Sequence, residues 1–258
     1  MGMSRVGAQV VDYYTALERV KTKSRTGRNF FDWLKLKPEL LKKKYVLNMI
    51  NHYRKQGTPL NNKIWFRMFN LFEGSINQFK AIIAMNIYCK YNPTSILDFT
   101  MGWGGRLVGA CALNIPSYTG IDLNTNLKKP YEDMVAFLKE HTTTKIKLYF
   151  SDALKIDYSK LDYDLVLTSP PYYNIEQYKG TPTQSKEDWD NNFYKPLFIK
   201  TWTHLKRGGH YCLNVPEEVY KNVCVKVLGR PSAKIILPKA KRFANSTYKE
   251  YIYVWKKT

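Results

Sequence analysis

Between Ser95 and Val215, short apolar runs alternate with stretches of helical spacing, and this alternation leaves few folds open to the chain. Runs at Ser95–Phe99, Ser117–Ile121, Lys145–Phe150, Asp164–Thr168 and His210–Val215 have the length and composition of strands. Between them, helical patterns begin near Arg106, cover Lys128–Lys139 and extend from about Trp189 to Lys206. Parallel neighbours need a crossover, so strands separated by helices predict a largely parallel sheet with helices on both faces. Lys234–Leu237 and Glu250–Trp255 follow with no helical pattern between them, and are expected to pair antiparallel and close the sheet. The expected class is α/β.

The first 90 residues read as helices. Val10, Tyr13, Tyr14, Leu17 and Val20 recur at helical spacing, and a basic linker, Lys21–Arg28, follows with Gly27 and no period. Pro38 can open a second helix, with Leu41, Tyr45, Met49 and Tyr53 on its apolar side and a stop at Gly57. Ser75 is placed to cap a third, carrying Ile76, Phe79, Ile82, Ile83 and Ile87. The expected organisation is a helical basic extension over residues 1–74 and a main domain over 75–258.

Charge sharpens that division. Formal net charge is +20, from 41 basic and 21 acidic residues. Residues 1–80 hold 16 Lys/Arg against 5 Asp/Glu, residues 226–258 hold 9 against 1, and the stretch between them is near neutral with 16 against 15. A near-neutral middle with strongly basic ends suggests a surface for a polyanion. Aromatic residues such as Tyr13, Phe30, Phe31, Trp33, Tyr45 and Trp65 interleave the cations, a mixture suited to phosphates and stacked bases, although many must also serve as core. No apolar run reaches the length of a membrane span, and Met1–Val20 lacks a signal-peptide core. The four cysteines show no C-x-x-C spacing, so neither a disulfide scaffold nor a metal site is expected, and an intracellular location is.

Chemistry concentrates where the strands end. Ser95-Ile-Leu-Asp-Phe-Thr-Met-Gly-Trp-Gly-Gly-Arg106 is a strand running into glycines that open a helix. Such glycines let the backbone pass close to a ligand and leave helix-terminal N–H groups free, although alone they could form only a tight turn. Asp122 ends the next strand, where a carboxylate can accept both hydroxyls of a ribose. Asp152 follows the third strand, where an acidic side chain can face an adenine amino group, although taken alone it reads nearly as well as a solvated turn residue. Tyr163-Asp-Leu-Val-Leu-Thr then delivers Ser169-Pro170-Pro171-Tyr172 to the same sheet edge. Two prolines fix the backbone and leave carbonyls that can only accept, which suits an amino group with protons to give. Tyr172 offers a flat face to a base taken out of its stack.

These residues resemble the amino-methyltransferases of DNA, the N4-cytosine and N6-adenine group. That group carries a D-x-F-x-G-x-G loop and a [D/N/S]-P-P-[Y/F/W] tetrapeptide. Asp98, Gly102 and Gly104 match the loop by spacing, and Ser169–Tyr172 match the tetrapeptide. Leu205-Lys-Arg-Gly-Gly is similar to the turn before the group's fifth strand, and Ser75–Lys80 to the segment that helps hold the methionine part. The resemblance covers roughly residues 75–258 and implies a Rossmann-like seven-stranded methyltransferase sheet. It further implies S-adenosylmethionine as cofactor, bound by Phe79, Asp98, Thr100, Gly102, Gly104, Asp122, Asp152 and Ser169, with Ser169, Pro170, Pro171 and Tyr172 as the catalytic set. A first-position serine is closer to the N4-cytosine members, with N6-adenine next. Three departures stand out: Thr100 occupies the usual Phe position, with Phe99 one place early; Trp103 is unusual between the two glycines; and the long target-reading insertion is missing, which leaves residues 175–190 and the basic helical N-terminus for that job. An RNA base methyltransferase and a silent nucleic-acid-binding subunit are the alternatives.

Overall fold

The computed structural model describes residues 4–24, 26–173, 184–237 and 249–258, and these divide into two compact units. The larger takes residues 1–15, 78–173 and 184–258, and the smaller takes 16–77 and 174–183. Most of the segment 175–190, and Lys239, Lys241 and Arg242 in the basic C-terminal part, lie outside the described residues.

The larger unit is built on a seven-stranded sheet of order β3-β2-β1-β4-β5-β7-β6. Its strands are β1 (Ser95–Asp98), β2 (Ser117–Asp122), β3 (Lys145–Phe150), β4 (Leu165–Thr168), β5 (His210–Asn214), β6 (Ala233–Leu237) and β7 (Glu250–Lys256). The first five run parallel, and β7 lies antiparallel to both β5 and β6. The expected antiparallel closure is therefore present, with a twist in order: the last strand inserts between the fifth and the sixth.

Adjacent residues in β1 point to opposite sides of the sheet. Leu97 joins Ile121, Val166 and Leu213 in a core with Leu197 and Phe198 of α10 (Lys195–Thr203). Asp98 faces the other way, toward Arg106 of α7 (Gly105–Ala112). That second face also carries α6 (Ala81–Tyr91) and α8 (Lys128–Lys139). Gly105 and Gly109 set the closeness of α6 and α7: a Cβ at Gly105 would sit 1.8 Å from the Phe79 carbonyl oxygen. Strand order, parallel core and helices on both faces make this the Rossmann-like methyltransferase fold.

The first fifteen residues count with the sheet, whereas the expected extension took in residues 1–74. Three contacts explain it. Thr15 Oγ1 donates to the Trp103 carbonyl at 3.3 Å, Gln78 Nε2 donates to Asp12 at 3.3 Å, and a Cβ at Gly7 would lie 2.8 Å from that of Ala81.

The smaller unit is helical. It holds α2 (Phe30–Lys35), α3 (Lys37–Leu40), α4 (Lys44–Lys55) and α5 (Asn62–Phe72), and it receives the end of α1 (Ala8–Lys21). The helix expected from Pro38 to Gly57 is broken at Leu41–Lys43. The break rephases its second part, so Val46 and Ile50 are buried while Leu41 and Tyr45 are exposed. Ser75 does not cap a helix: its hydroxyl donates to the Asn70 carbonyl, and α6 starts only at Ala81. Trp33, Trp65 and Phe69 pack edge-to-face in the core, with Trp33 ring centroids 5.8 Å from both partners. Phe30, Trp33 and Trp65 are thus core side chains and not base-stacking surfaces.

Candidate active site

In the order β3-β2-β1-β4-β5, chain direction across the sheet reverses between β1 and β4. Ligands of such sheets bind outside the carboxyl ends of the strands at that point. The loop after β1 and the tetrapeptide after β4 flank it.

Below the loop lies a buried ionic hub. Asp98, with no exposed surface, accepts from Arg106 Nε at 2.6 Å, Tyr118 hydroxyl at 2.7 Å and Thr168 hydroxyl at 2.9 Å. Burial works against the Arg106 charge, but the Asp98 carboxylate outweighs it and leaves the guanidinium pKa raised. Arg106 also donates to the Thr100 carbonyl and lies 5.0 Å from the centre of the Phe79 ring. The bonds seen on Asp98 are all internal, so it shapes the loop from beneath. Phe99 is fully buried between Phe198 and Tyr211, with ring centroids 6.2 and 6.3 Å away. It belongs to the core, and Thr100 takes the site side, its hydroxyl 2.6 Å from that of Thr168.

The glycines divide their work. Gly102 and Gly104 adopt φ of +56° and +98°, which favour glycine. Over Gly102 the space is open, since a Cβ there would meet nothing nearer than the Thr100 carbonyl at 3.9 Å. At Gly104 a Cβ would lie 2.5 Å from the terminal methyl of Met134, a flexible group that could shift, so it is the left-handed backbone more than the packing that calls for glycine there. The Tyr131 hydroxyl, buried, donates toward the carbonyls of Met101 and Gly102 at 3.2 and 2.9 Å.

Asp122 closes the loop from the β2 side. Its carboxylate accepts the Gly102 N–H at 2.8 Å and the Asn124 N–H at 2.8 Å. Burial pushes its pKa up to about 6, partly offset by those two donors. An acceptor beside an open glycine fits a ribose diol, and with the free space over Gly102 it fits the S-adenosylmethionine expected from the sequence. Asp152 caps a short turn, accepting the Leu154 N–H at 2.9 Å.

On the β4 side, Ser169 and Tyr172 converge on one residue that sequence reasoning missed. Asn214, at the end of β5, holds its Oδ1 3.2 Å from Ser169 Oγ and 2.9 Å from the Tyr172 hydroxyl. Its Nδ2 donates to the Tyr251 carbonyl at 3.0 Å, which fixes the amide's orientation. Glu250, at the start of β7, stands 3.2 Å from the same Tyr172 hydroxyl.

Tyr194, also missed, clamps the tetrapeptide from outside. It donates to the Pro171 carbonyl and accepts the Tyr173 N–H at 3.1 Å, the two peptide groups that flank Tyr172. Burial raises the Tyr194 pKa, so it remains a donor through the neutral range. Tyr173 itself sits at φ +51°, a left-handed conformation costing roughly 1–2 kcal/mol for a non-glycine residue. Its hydroxyl bonds Asp190 at 3.1 Å. Linear signal for Asn214, Glu250 and Tyr194 is absent, because each is joined to the tetrapeptide only by folding.

No family model matches the sequence. The chain is 36% identical over 75 residues to the type II methyltransferase M.MjaVI of Methanocaldococcus jannaschii, a match covering 28% of this chain and 37% of that one. Among solved structures, TrmN of Thermus thermophilus aligns over 71% of this chain and 50% of that one at 15% identity and TM-score 0.49. An rRNA methylase of Streptococcus thermophilus aligns over 71% of this chain and 100% of its own at 13% identity and TM-score 0.48. The match to the curated relative spans little more than a third of that protein's length, and what the structure itself establishes is the Rossmann-like fold with an open space over Gly102 beside the Asp122 carboxylate. No described helix is long and apolar enough to cross a membrane.

Proposed function

We propose that this chain is an S-adenosylmethionine-dependent methyltransferase acting on the exocyclic amino nitrogen of a base in DNA, with N4 of cytosine favoured and N6 of adenine next. The observation that carries this is the convergence of Ser169 and Tyr172 on Asn214 Oδ1 at the switch point of the sheet. A Ser169 hydroxyl that donates to Asn214 keeps its lone pairs for another donor. An amino group entering the site supplies that donor, and the Pro170 carbonyl accepts its second proton. Both bonds draw the N–H protons away and leave the nitrogen richer in electrons, while Tyr172 holds the base plane.

Bound beside Gly102 and Asp122, S-adenosylmethionine supplies a methyl group on a sulfonium centre. Asp122 would hold the ribose, Thr100 and Phe79 would border the methionine part, and Asp152 would face the adenine. No cysteine nucleophile enters this scheme. Preorganised acceptors and positioning supply the acceleration.

Transfer of radiolabelled methyl from S-adenosylmethionine to purified genomic DNA and to total RNA, run side by side, tests the reading. Label in DNA that is lost on Ser169→Ala supports it. Label in RNA alone overturns the choice of DNA, and label in neither, from a folded protein, overturns the activity.

A further inference from the structure

Among its described residues the sheet-bearing unit carries no long target-reading insertion, and α4 of the helical unit has the surface to do that work. Its inner side is Val46 and Ile50, both buried, with Met49 and Tyr53 partly so. The opposite side, at i, i+4, i+7 and i+11, presents Lys44, Asn48, Asn51 and Lys55, every one exposed. Leu47 and His52 border this stripe and are exposed too. Not one residue of α4 is acidic.

The charge around the helix is uncompensated. Lys42, Lys43 and Lys44 gather at its N-terminal end, where the helix dipole disfavours cations and no side chain caps the backbone. Arg54 and Lys55 stand at the other end. Among the described residues none of these five cations enters an ion pair, although Lys21, Arg28 and Lys35 of the same unit each do. A face with amides at its centre and free cations at both ends complements a groove whose floor is hydrogen-bonding and whose two walls are anionic. A membrane surface would call for an exposed apolar stripe, which this face lacks.

We propose that α4 is a recognition helix for duplex DNA. Asn48 and Asn51 meet base edges in the major groove, and Lys42, Lys43 and Lys44 on one side and Arg54 and Lys55 on the other meet phosphates. The major groove of B-DNA admits an α-helix, and an asparagine amide pairs with the donor and acceptor that adenine shows there. The deep, narrow major groove of A-form RNA excludes a helix, so the same geometry selects DNA. Leu47 is placed for apolar contact with a thymine methyl. This inference rests on the reading of nucleic acid as the substrate, but it concerns binding and not transfer.

The test uses the full chain and fluorescein-labelled short duplexes of random sequence, as DNA and as RNA, titrated across a salt series. DNA should bind tighter than RNA. The Lys42→Ala, Lys43→Ala, Lys44→Ala variant should show a salt slope shallower by about 3, at roughly 0.9 per phosphate contact. The Asn48→Ala, Asn51→Ala variant should keep the wild-type slope but lose, by about tenfold or more, the preference for the motif that wild type enriches from the random DNA pool. All substituted residues are exposed, and circular dichroism melts confirm folding. Equal affinity for RNA, an unchanged salt slope in the lysine variant, or a motif that is absent in wild type or survives in the asparagine variant overturns the proposal. Cofactor binding, measured apart by calorimetry, belongs to the methyltransferase reading and fails or stands independently of it.

Discussion

The Tyr172 hydroxyl lies 2.9 Å from Asn214 Oδ1, and Ser169 Oγ lies 3.2 Å from the same atom. One amide oxygen therefore sets both polar groups of the tetrapeptide. Asn214→Ala removes it, and the loss of a buried acceptor is worth about 1–3 kcal/mol. Turnover should fall roughly ten- to a hundredfold, while S-adenosylmethionine affinity by calorimetry stays at the wild-type value. Asn214→Asp keeps an acceptor and should recover part of the rate as its carboxyl ionises, which a pH–rate profile reads.

Tyr194 makes a second, separable prediction. Its hydroxyl joins the carbonyl of Pro171 to the N–H of Tyr173 and so holds Tyr173 at φ +51°. Tyr194→Phe keeps the buried ring and removes both bonds. Relaxation of Tyr173 would then free Tyr172, so kcat should drop about tenfold at roughly 1.4 kcal/mol. The melting temperature should move only a few degrees, as a differential scan will show.

Asp122 gives the site a pH dependence. A carboxyl at about 6 in the folded protein, against an ordinary 3.8, binds its proton more tightly folded than unfolded. Its charge thus costs stability progressively as pH rises from about 4 to 6, and fully above that. Ribose hydroxyls donate to the ionised form, so cofactor affinity should weaken as pH falls below about 6. Calorimetry at pH values on either side of that point should show the change in wild type and a flat, weaker response in Asp122→Asn. That variant should also melt higher relative to wild type at neutral pH than at acid pH.

The Arg106–Asp98 pair at 2.6 Å carries a structural prediction. Both side chains are almost wholly buried, at 4% and 0% exposure, so removing one leaves an uncompensated charge. Arg106→Leu should destabilise the protein by about 3–5 kcal/mol, read from urea unfolding. Replacing both, Arg106→Leu with Asp98→Asn, should restore a large part of that loss.

The sheet was legible because its strands are short apolar runs bounded by turns. The expected run at Lys145–Phe150 coincides with β3, and the expected helix Lys128–Lys139 with α8. Errors gathered where local pattern is a poor guide. A break of three residues at Leu41–Lys43 shifted the buried face of α4, and α5, with Trp65, Met68 and Phe69 inward, went unseen behind its mixed composition. The site divides the same way. Gly102, Gly104, Asp122 and the tetrapeptide announce themselves as contiguous motifs. Asn214 and Glu250 lie 42 and 78 residues beyond Tyr172, and Tyr194 lies 23 beyond Pro171, so only the pairing of β5 with β4 and β7 and the packing of α10 bring them in. Asp98 shows the converse, since its motif suggested a cofactor contact and its partners are Arg106, Tyr118 and Thr168.

The central claim is that the residues from Ser169 to Tyr172 present an amino group of a DNA base for methylation. Mass spectrometry of nucleosides from the DNA of a host lacking such marks, expressing either wild type or a Ser169→Ala, Tyr172→Ala variant, addresses it directly. The account predicts N4-methylcytosine, or failing that N6-methyladenine, with wild type and neither above background with the folded variant. Equal methylation by both, or unmodified DNA from cells holding folded, cofactor-binding wild type, contradicts it.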